Sequence, residues 1–197
     1  MRSRLVLSAV LVVALAVGGV VAWRWTHQQS EFAAAVELAP AGTERVGWTD
    51  WADIRGALGL ETGAAAGLDL LMDAAYRRDL SSASALGSSA EVLDARFGVS
   101  PANLEWEVFA QSADGAALIL KVPESVSFTD LGDRLEGLGF LRPNESDGTW
   151  AGGSDVVARI GTLTPQLQYW NLIEDDRLVV TSDTKQYAGL ARRFGRG

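Results

Sequence analysis

The chain has 197 residues, 48% hydrophobic and 21% charged, which suits one folded domain and excludes wholesale disorder. Its 17 Lys and Arg stand against 25 Asp and Glu, a net charge of −8, which excludes a surface built to hold nucleic acid or anionic headgroups. It has no cysteine, which removes disulfides, thiol chemistry, thiolate metal sites and the lipid-attachment cysteine of a bacterial lipoprotein.

In chain order the first element is Leu5 to Trp23, LVLSAVLVVALAVGGVVAW, without a charge or a proline. At about 1.5 Å per helical residue it spans roughly 28 Å, close to a bilayer's hydrocarbon core of about 30 Å. Arg2 and Arg4 precede it, Arg24 follows, and Glu31 and Glu37 come next, so the positive-inside bias leaves the N-terminus in the cytoplasm and the rest outside. The exported part then keeps 14 basic against 25 acidic residues, a net −11. The competing reading is a cleaved leader, with Val20-Val21-Ala22 as its small-residue site; the length of the apolar run and the interfacial Trp23 and Trp25 favour an anchor. The expected plan is residues 1–25 as anchor with a short cytoplasmic tail, 26–40 as a stalk, and 41–197 as one ectodomain.

Thr43 to Thr49 alternates as a strand, and Asp50 caps a short helix through Trp51, Ile54 and Leu58. Read from Leu38, the stretch LAPAGTERVGWTDW resembles the opening of uncharacterised single-pass exported proteins of high-GC Gram-positive bacteria, whose ectodomains often begin with a proline-threonine turn, a strand and an Asp-Trp pair. The resemblance implies an exported, membrane-anchored domain and carries no activity with it.

Gly67 to Leu80 places Leu68, Leu71, Met72, Ala75 and Tyr76 on one helical face. Ser81 to Ser89 reads as a loop, and Ala90 to Phe97 as a helix closed by Gly98. The period then changes. Leu104, Trp106, Val108 and Ala110 alternate with Glu105, Glu107 and Gln111, with Phe109 the exception, so the first set is assigned to a dry face and the second to a wet one. Asp114-Gly115 turns the chain into a second strand, Ala116 to Val122. A helix from Ser127 or Thr129 bears Leu131, Leu135 and Leu138 and ends at Gly139, and Trp106 is expected to pack against it.

Phe140 to Arg142, Thr149 to Ala151 and Asp155 to Ile160 read as short strands, joined by turns at Asp147-Gly148 and Gly152-Gly153. Leu167 to Ile173, apolar on both sides, reads as a central strand. After Asp175-Asp176, Leu178 to Thr181 is a strand, and Asp183 with Gln186 forms a capping box for a helix through Tyr187, Leu190 and Phe194. A strand, turn, strand, helix order thus occurs at 104–138 and again at 167–194, from duplication or from the frequency of that order in α+β folds. The fold class is α+β: an antiparallel or mixed sheet with helices packed on one face, behind a single transmembrane helix.

No serine-hydrolase elbow is present, and the only histidine, His27, lies in the stalk. Gly152-Gly153-Ser154-Asp155 lacks the lysine and helix N-terminus of a phosphate loop. Glu105 and Glu107 on one strand face would stand roughly 6–7 Å apart, within reach of glycosidase geometry, but a solvated face is the plainer reading. Asp175-Asp176 and Asp50 with Asp53 fall short of a calcium loop, so neither metal nor cofactor is expected. Of the seven tryptophans, Trp48 and Trp51 flank a turn and are the candidates for an exposed pair that stacks on sugars. These features point to a non-catalytic binding or scaffolding module of the bacterial cell surface, partnered by the membrane and by another envelope protein or wall polymer. The opposing readings are an envelope hydrolase working through acidic residues and a sugar- or wall-polymer-binding module.

Overall fold

Local signals start and stop most elements of the chain. A computed structural model describes residues 31–60, 67–145 and 148–191, so the apolar run of residues 5–23, His27, Asp147 and Phe194 lie outside the described residues. Among the described residues no helix is long and apolar enough to cross a membrane. The chain divides into two compact units, Met1–Glu37 and Leu38–Gly197. Of the first, residues 31–37 are helical.

In the second unit, β1 (Arg45–Asp50) runs straight into α1 (Trp51–Leu58). Asp50 Oδ1 accepts the Asp53 N–H at 2.8 Å, and Gly59 ends the helix in the left-handed region at φ 69°. Next come α2 (Gly67–Arg77) and α3 (Ala90–Val92), the latter passing into a π-helical turn at Leu93–Phe97. β2 (Trp106–Ser112) and β3 (Gly115–Lys121) form the expected hairpin, with Ala113 and Asp114 rather than Asp114 and Gly115 at its turn. α4 (Phe128–Gly137) starts where Ser127 Oγ accepts the Asp130 N–H at 3.1 Å.

The remaining elements are β4 (Trp150–Ala151), α5 (Gly153–Ile160), β5 (Tyr169–Ile173), β6 (Leu178–Ser182) and α6 (Lys185–Ala191). The strand expected at Asp155 to Ile160 is therefore a helix. Val156, Val157 and Ile160 share one helical stripe, and packing that stripe into the core outweighs the β preference of two adjacent valines. At the start of α6 the Tyr187 N–H donates to Thr184 Oγ1 at 3.2 Å, while Asp183 Oδ1 takes the Ala116 N–H at 2.9 Å. Asp183 thus ties the β2–β3 hairpin to the α6 start instead of forming a capping box.

All six strands pair antiparallel, in the order β1-β2-β3-β6-β5-β4. β3 and β6 hold the centre; β5, expected there, lies second from the rim and is covered on both sides through Trp170 and Asn171. One face carries the row Thr49, Glu107, Leu120, Val179, Leu172 and the row Gly47, Phe109, Leu118, Thr181, Trp170, Trp150. The main core forms on this face, joining Trp51, Leu71, Leu93, Phe97, Leu131, Leu135 and Val157 from the helical segments to Leu118, Leu120 and Trp170. Phe97 stacks on Trp170 at 4.8 Å between ring centroids.

The expectation that all helices share one face is corrected by α6, which packs on β3, β5 and β6 from the other side. There Asn171 Nδ2 donates to the Ala188 carbonyl at 2.9 Å. Tyr187 therefore does not match Leu131 and Leu135 of α4, which face the main core. In β2 Trp106, Val108 and Ala110 are buried as expected, but the face read as wet is corrected at Glu107, and Trp106 does not pack against α4. Trp106 lies on the α6 side of the sheet, 5.1 Å from the Trp48 ring, whereas Glu107 points into the helix-covered core.

The register gives the sheet an approximate two-fold about the central Ile119–Val180 pair. Leu120, one residue beyond Ile119, pairs with Glu107, and Thr49 lies next to Glu107. Thr181, one beyond Val180, pairs with Trp170, and Trp150 lies next to Trp170. The repeating unit is thus β-α-β-β, β1 to β3 and β4 to β6. Residues 51–105 join the first two strands of one copy, and residues 152–168 do the same in the other.

Candidate functional site

Glu107 occupies a position that a sheet normally fills with an apolar side chain, and it is 1% exposed. Its carboxyl is met by donors from two directions. Trp51 Nε1, on the first residue of α1, donates to Oε2 at 3.0 Å. From the segment between α2 and α3, Ser84 Oγ donates to the same oxygen at 2.7 Å, and the Ala85 N–H donates to Oε1 at 2.7 Å. Ser84 Oγ also accepts the Leu86 N–H at 3.0 Å, so one hydroxyl shapes the segment and ties it to the sheet. Burial pushes the Glu107 carboxyl above the usual carboxylate range, and the bonds from Ser84, Ala85 and Trp51 offset part of that rise.

A backbone contact holds the same segment down. A Cβ on Gly47 would stand 2.9 Å from the Ala83 carbonyl oxygen, so glycine is what lets residues 81–86 lie on β1. Thr49, the cross-strand neighbour of Glu107, is 3% exposed and its Oγ1 has no hydrogen-bond partner. Arg55 of α1 turns away from this cluster; its Nη1 donates to the carbonyls of Pro101 at 2.6 Å and Leu104 at 2.7 Å. Burial pulls the Arg55 pKa down, against Asp50 and Glu105, which raise it.

The outer side of the same segment borders a groove. Met72 and Tyr76 of α2, then Asp79, Ser81, Ser82 and Gly87, line about 390 Å³, within the usual size range of ligand pockets. Tyr76 is 82% exposed, and Leu70 and Leu80 of the same region are also exposed. Asp79 bends the chain out of α2 with φ 56°, a left-handed conformation that a non-glycine residue adopts at some cost. The groove and the Glu107 cluster thus draw on neighbouring residues of one short stretch of backbone, Ser81, Ser82 and Gly87 for the groove and Ser84 and Ala85 for the cluster.

Of the tryptophans singled out in the sequence, Trp51 is fully buried and its indole is engaged by Glu107. Trp48 is half-buried on the opposite side of the sheet, so the expected exposed pair does not exist: alternation along β1 and the first turn of α1 send the two rings to different faces. Glu105 and Glu107 share a face, but the Glu107 oxygens are occupied by donors from the protein. Asp50 and Asp53 form a helix cap, and the Asp176 carbonyl accepts Lys121 Nζ at 2.8 Å. Among the described residues no group of three or more His, Asp or Glu is placed to hold a metal ion. The clue to Glu107 was Phe109, the one apolar residue on the side of β2 read as wet, which packs against the main core. No protein-family model, no curated protein and no solved structure matches the chain.

Proposed function

We propose that this chain is a non-catalytic extracytoplasmic binding or scaffolding module, anchored in the bacterial cell membrane through residues 5–23, with the groove beside Tyr76 as its docking surface. The observation that carries the reading is the groove itself, bordered by an exposed tyrosine ring. Tyrosine offers a large amphipathic contact area and is enriched where proteins meet partners. The partner would be another envelope protein or a wall polymer. A hydrolase working through acidic residues needs an accessible carboxyl in a concave site, and the most perturbed carboxyl, Glu107, is sealed from solvent.

The test is photo-cross-linking in the native membrane with a photoreactive residue at position 76. A defined adduct on intact cells, absent when the residue is placed at Arg142 on another surface, is expected. Equal labelling from both positions, or none from either, would overturn the docking reading. Protease shaving of intact cells addresses location: the ectodomain should be lost from the membrane fraction, and its survival would overturn the external placement.

A further inference from the structure

The groove is lined by polar side chains whose hydrogen-bonding capacity the protein leaves unused. Among the described residues the Tyr76 hydroxyl, the Asp79 carboxylate and the Ser81 and Ser82 hydroxyls meet no partner, in contrast to Ser84, whose hydroxyl serves both Glu107 and Leu86. We propose that the groove takes a neutral carbohydrate, with one pyranose ring lying flat on Tyr76 and its hydroxyls held by Asp79, Ser81 and Ser82. The proposal rests on the groove being the docking surface and names the chemistry of what docks there.

Asp79 carries the argument furthest. The Leu80 N–H donates to the Ala75 carbonyl at 2.9 Å and the Asp79 N–H to the Tyr76 carbonyl at 3.1 Å, the bond pair of a Schellman turn, which puts Asp79 at the left-handed position where glycine is preferred. Its carboxylate also stands at the negative end of the α2 dipole. Arg77 is drawn back to Asp73 at 2.7 Å, and Arg78 forms no ion pair among the described residues. Two rules of helix ending are therefore broken at one residue with no compensating contact inside the protein, the pattern of a side chain kept for a ligand. The charge of the groove narrows that ligand. Asp79 is the one charged residue among the described residues that line it, so phosphate- and uronate-bearing polymers are repelled. An extended peptide docks through a row of free main-chain groups, but the N–H groups of Arg78, Asp79, Leu80 and Ser84 are bonded within the chain. What the groove offers is an exposed ring and the Met72 side chain, which suit the C–H face of a sugar, and a carboxylate and hydroxyls, which suit its rim, around about 390 Å³.

The test probes the full anchored chain with an array of neutral gluco-, manno-, galacto- and N-acetylglucosamine oligosaccharides, uronate oligosaccharides and a lysine-rich peptide. A neutral series should bind, and the uronates and the peptide should not. In titration calorimetry with the neutral oligosaccharide bound best, Tyr76→Ala and Asp79→Gly should each weaken binding about ten-fold or more. Asp79→Gly should do so with its melting temperature held or raised, because it restores the residue that the turn prefers. A blank array, binding led by the peptide or the uronates, or sugar binding that survives both substitutions would overturn the proposal. A lower melting temperature in Asp79→Gly would do so too, since it would show that the carboxylate serves the fold. The two readings fail separately: a blank array beside a protein adduct from position 76 sinks the sugar and leaves the docking surface standing, whereas sugar binding indifferent to Tyr76→Ala, with no adduct from position 76, sinks the groove itself.

Discussion

In the first β-α-β-β half of the sheet, the position one strand out from the central pair holds Glu107, beneath a long helical excursion. In the second half the equivalent position holds Trp170, stacked on Phe97, with its Nε1 donating to the Leu167 carbonyl at 2.7 Å. The second half therefore serves as an internal control: the unit closes its core with an aromatic ring, one α-helix and a 3-10 turn at Pro165–Leu167. The first half replaces that ring with a carboxyl and adds α2, the 81–86 segment and the groove. What it gains over its counterpart is a surface feature with a polar anchor beneath it. Extra chain length and a weakened core position occur together.

The sharpest test of that contrast is Trp170→Ala, which empties a fully buried aromatic site and should cost about 3–5 kcal/mol in urea melts. A loss under about 1 kcal/mol would mean that the second half does not rely on its ring. The matching change, Glu107→Ala, should cost less, about 2–3 kcal/mol, because it strands the Trp51 and Ala85 donors rather than removing a large volume. Burial raises the folded-state Glu107 pKa above its unfolded value. Its contribution is therefore complete below the ordinary carboxylate range and is lost as pH rises through the folded-state value. Stability melts of wild type and Glu107→Gln should accordingly diverge on the alkaline side; parallel curves would show that Glu107 does not titrate differently on folding.

Gly47→Ala comes next, at about 1–2 kcal/mol, since the new Cβ meets a backbone carbonyl that must move. Calorimetry with no change in melting temperature would show that the segment yields freely. The smallest effect concerns helix starts. Asp50 caps α1 through its side chain, whereas α5 begins at Gly152 with no side-chain cap bond. Asp50→Ala should cost about 1 kcal/mol and Gly152→Ser should not repair α5, because its Cβ would meet the Phe140 ring at 2.6 Å. A stabilising Gly152→Ser would break that asymmetry.

Elements whose causes are local were legible in the chain. The Asp50 cap, the Ser127 start and the β2–β3 hairpin each depend on residues within a few positions of one another. The burial of Glu107 on β2 was not, because charge was taken as a marker of water. Glu107 is satisfied by Trp51, 56 residues away, and by Ser84, 23 residues away, and no window of sequence brings these together. The same limit applies to Val156 and Val157, whose helical state depends on a core stripe, and to strand order, which places β6 beside β3. Within the candidate site, the amphipathic pattern of α2 was readable, but it put Tyr76 on the buried side, where the end of the helix leaves it in water.

One rim of the sheet has a consequence for how molecules meet at high concentration. β4 offers two residues of ladder, and Leu141 adds a single bridge to Ala151 through bonds of 2.8 and 3.1 Å. Arg142 then spreads over the Trp150 ring at 5.0 Å and reaches Asp133 and Glu136. A foreign strand that tried to extend the sheet here would find too short a template and a charged side chain across it, which is how natural sheets resist fibril growth. Strand addition along this rim is thus disfavoured by construction, and crowding of many copies need not lead to edge-to-edge aggregation on this side.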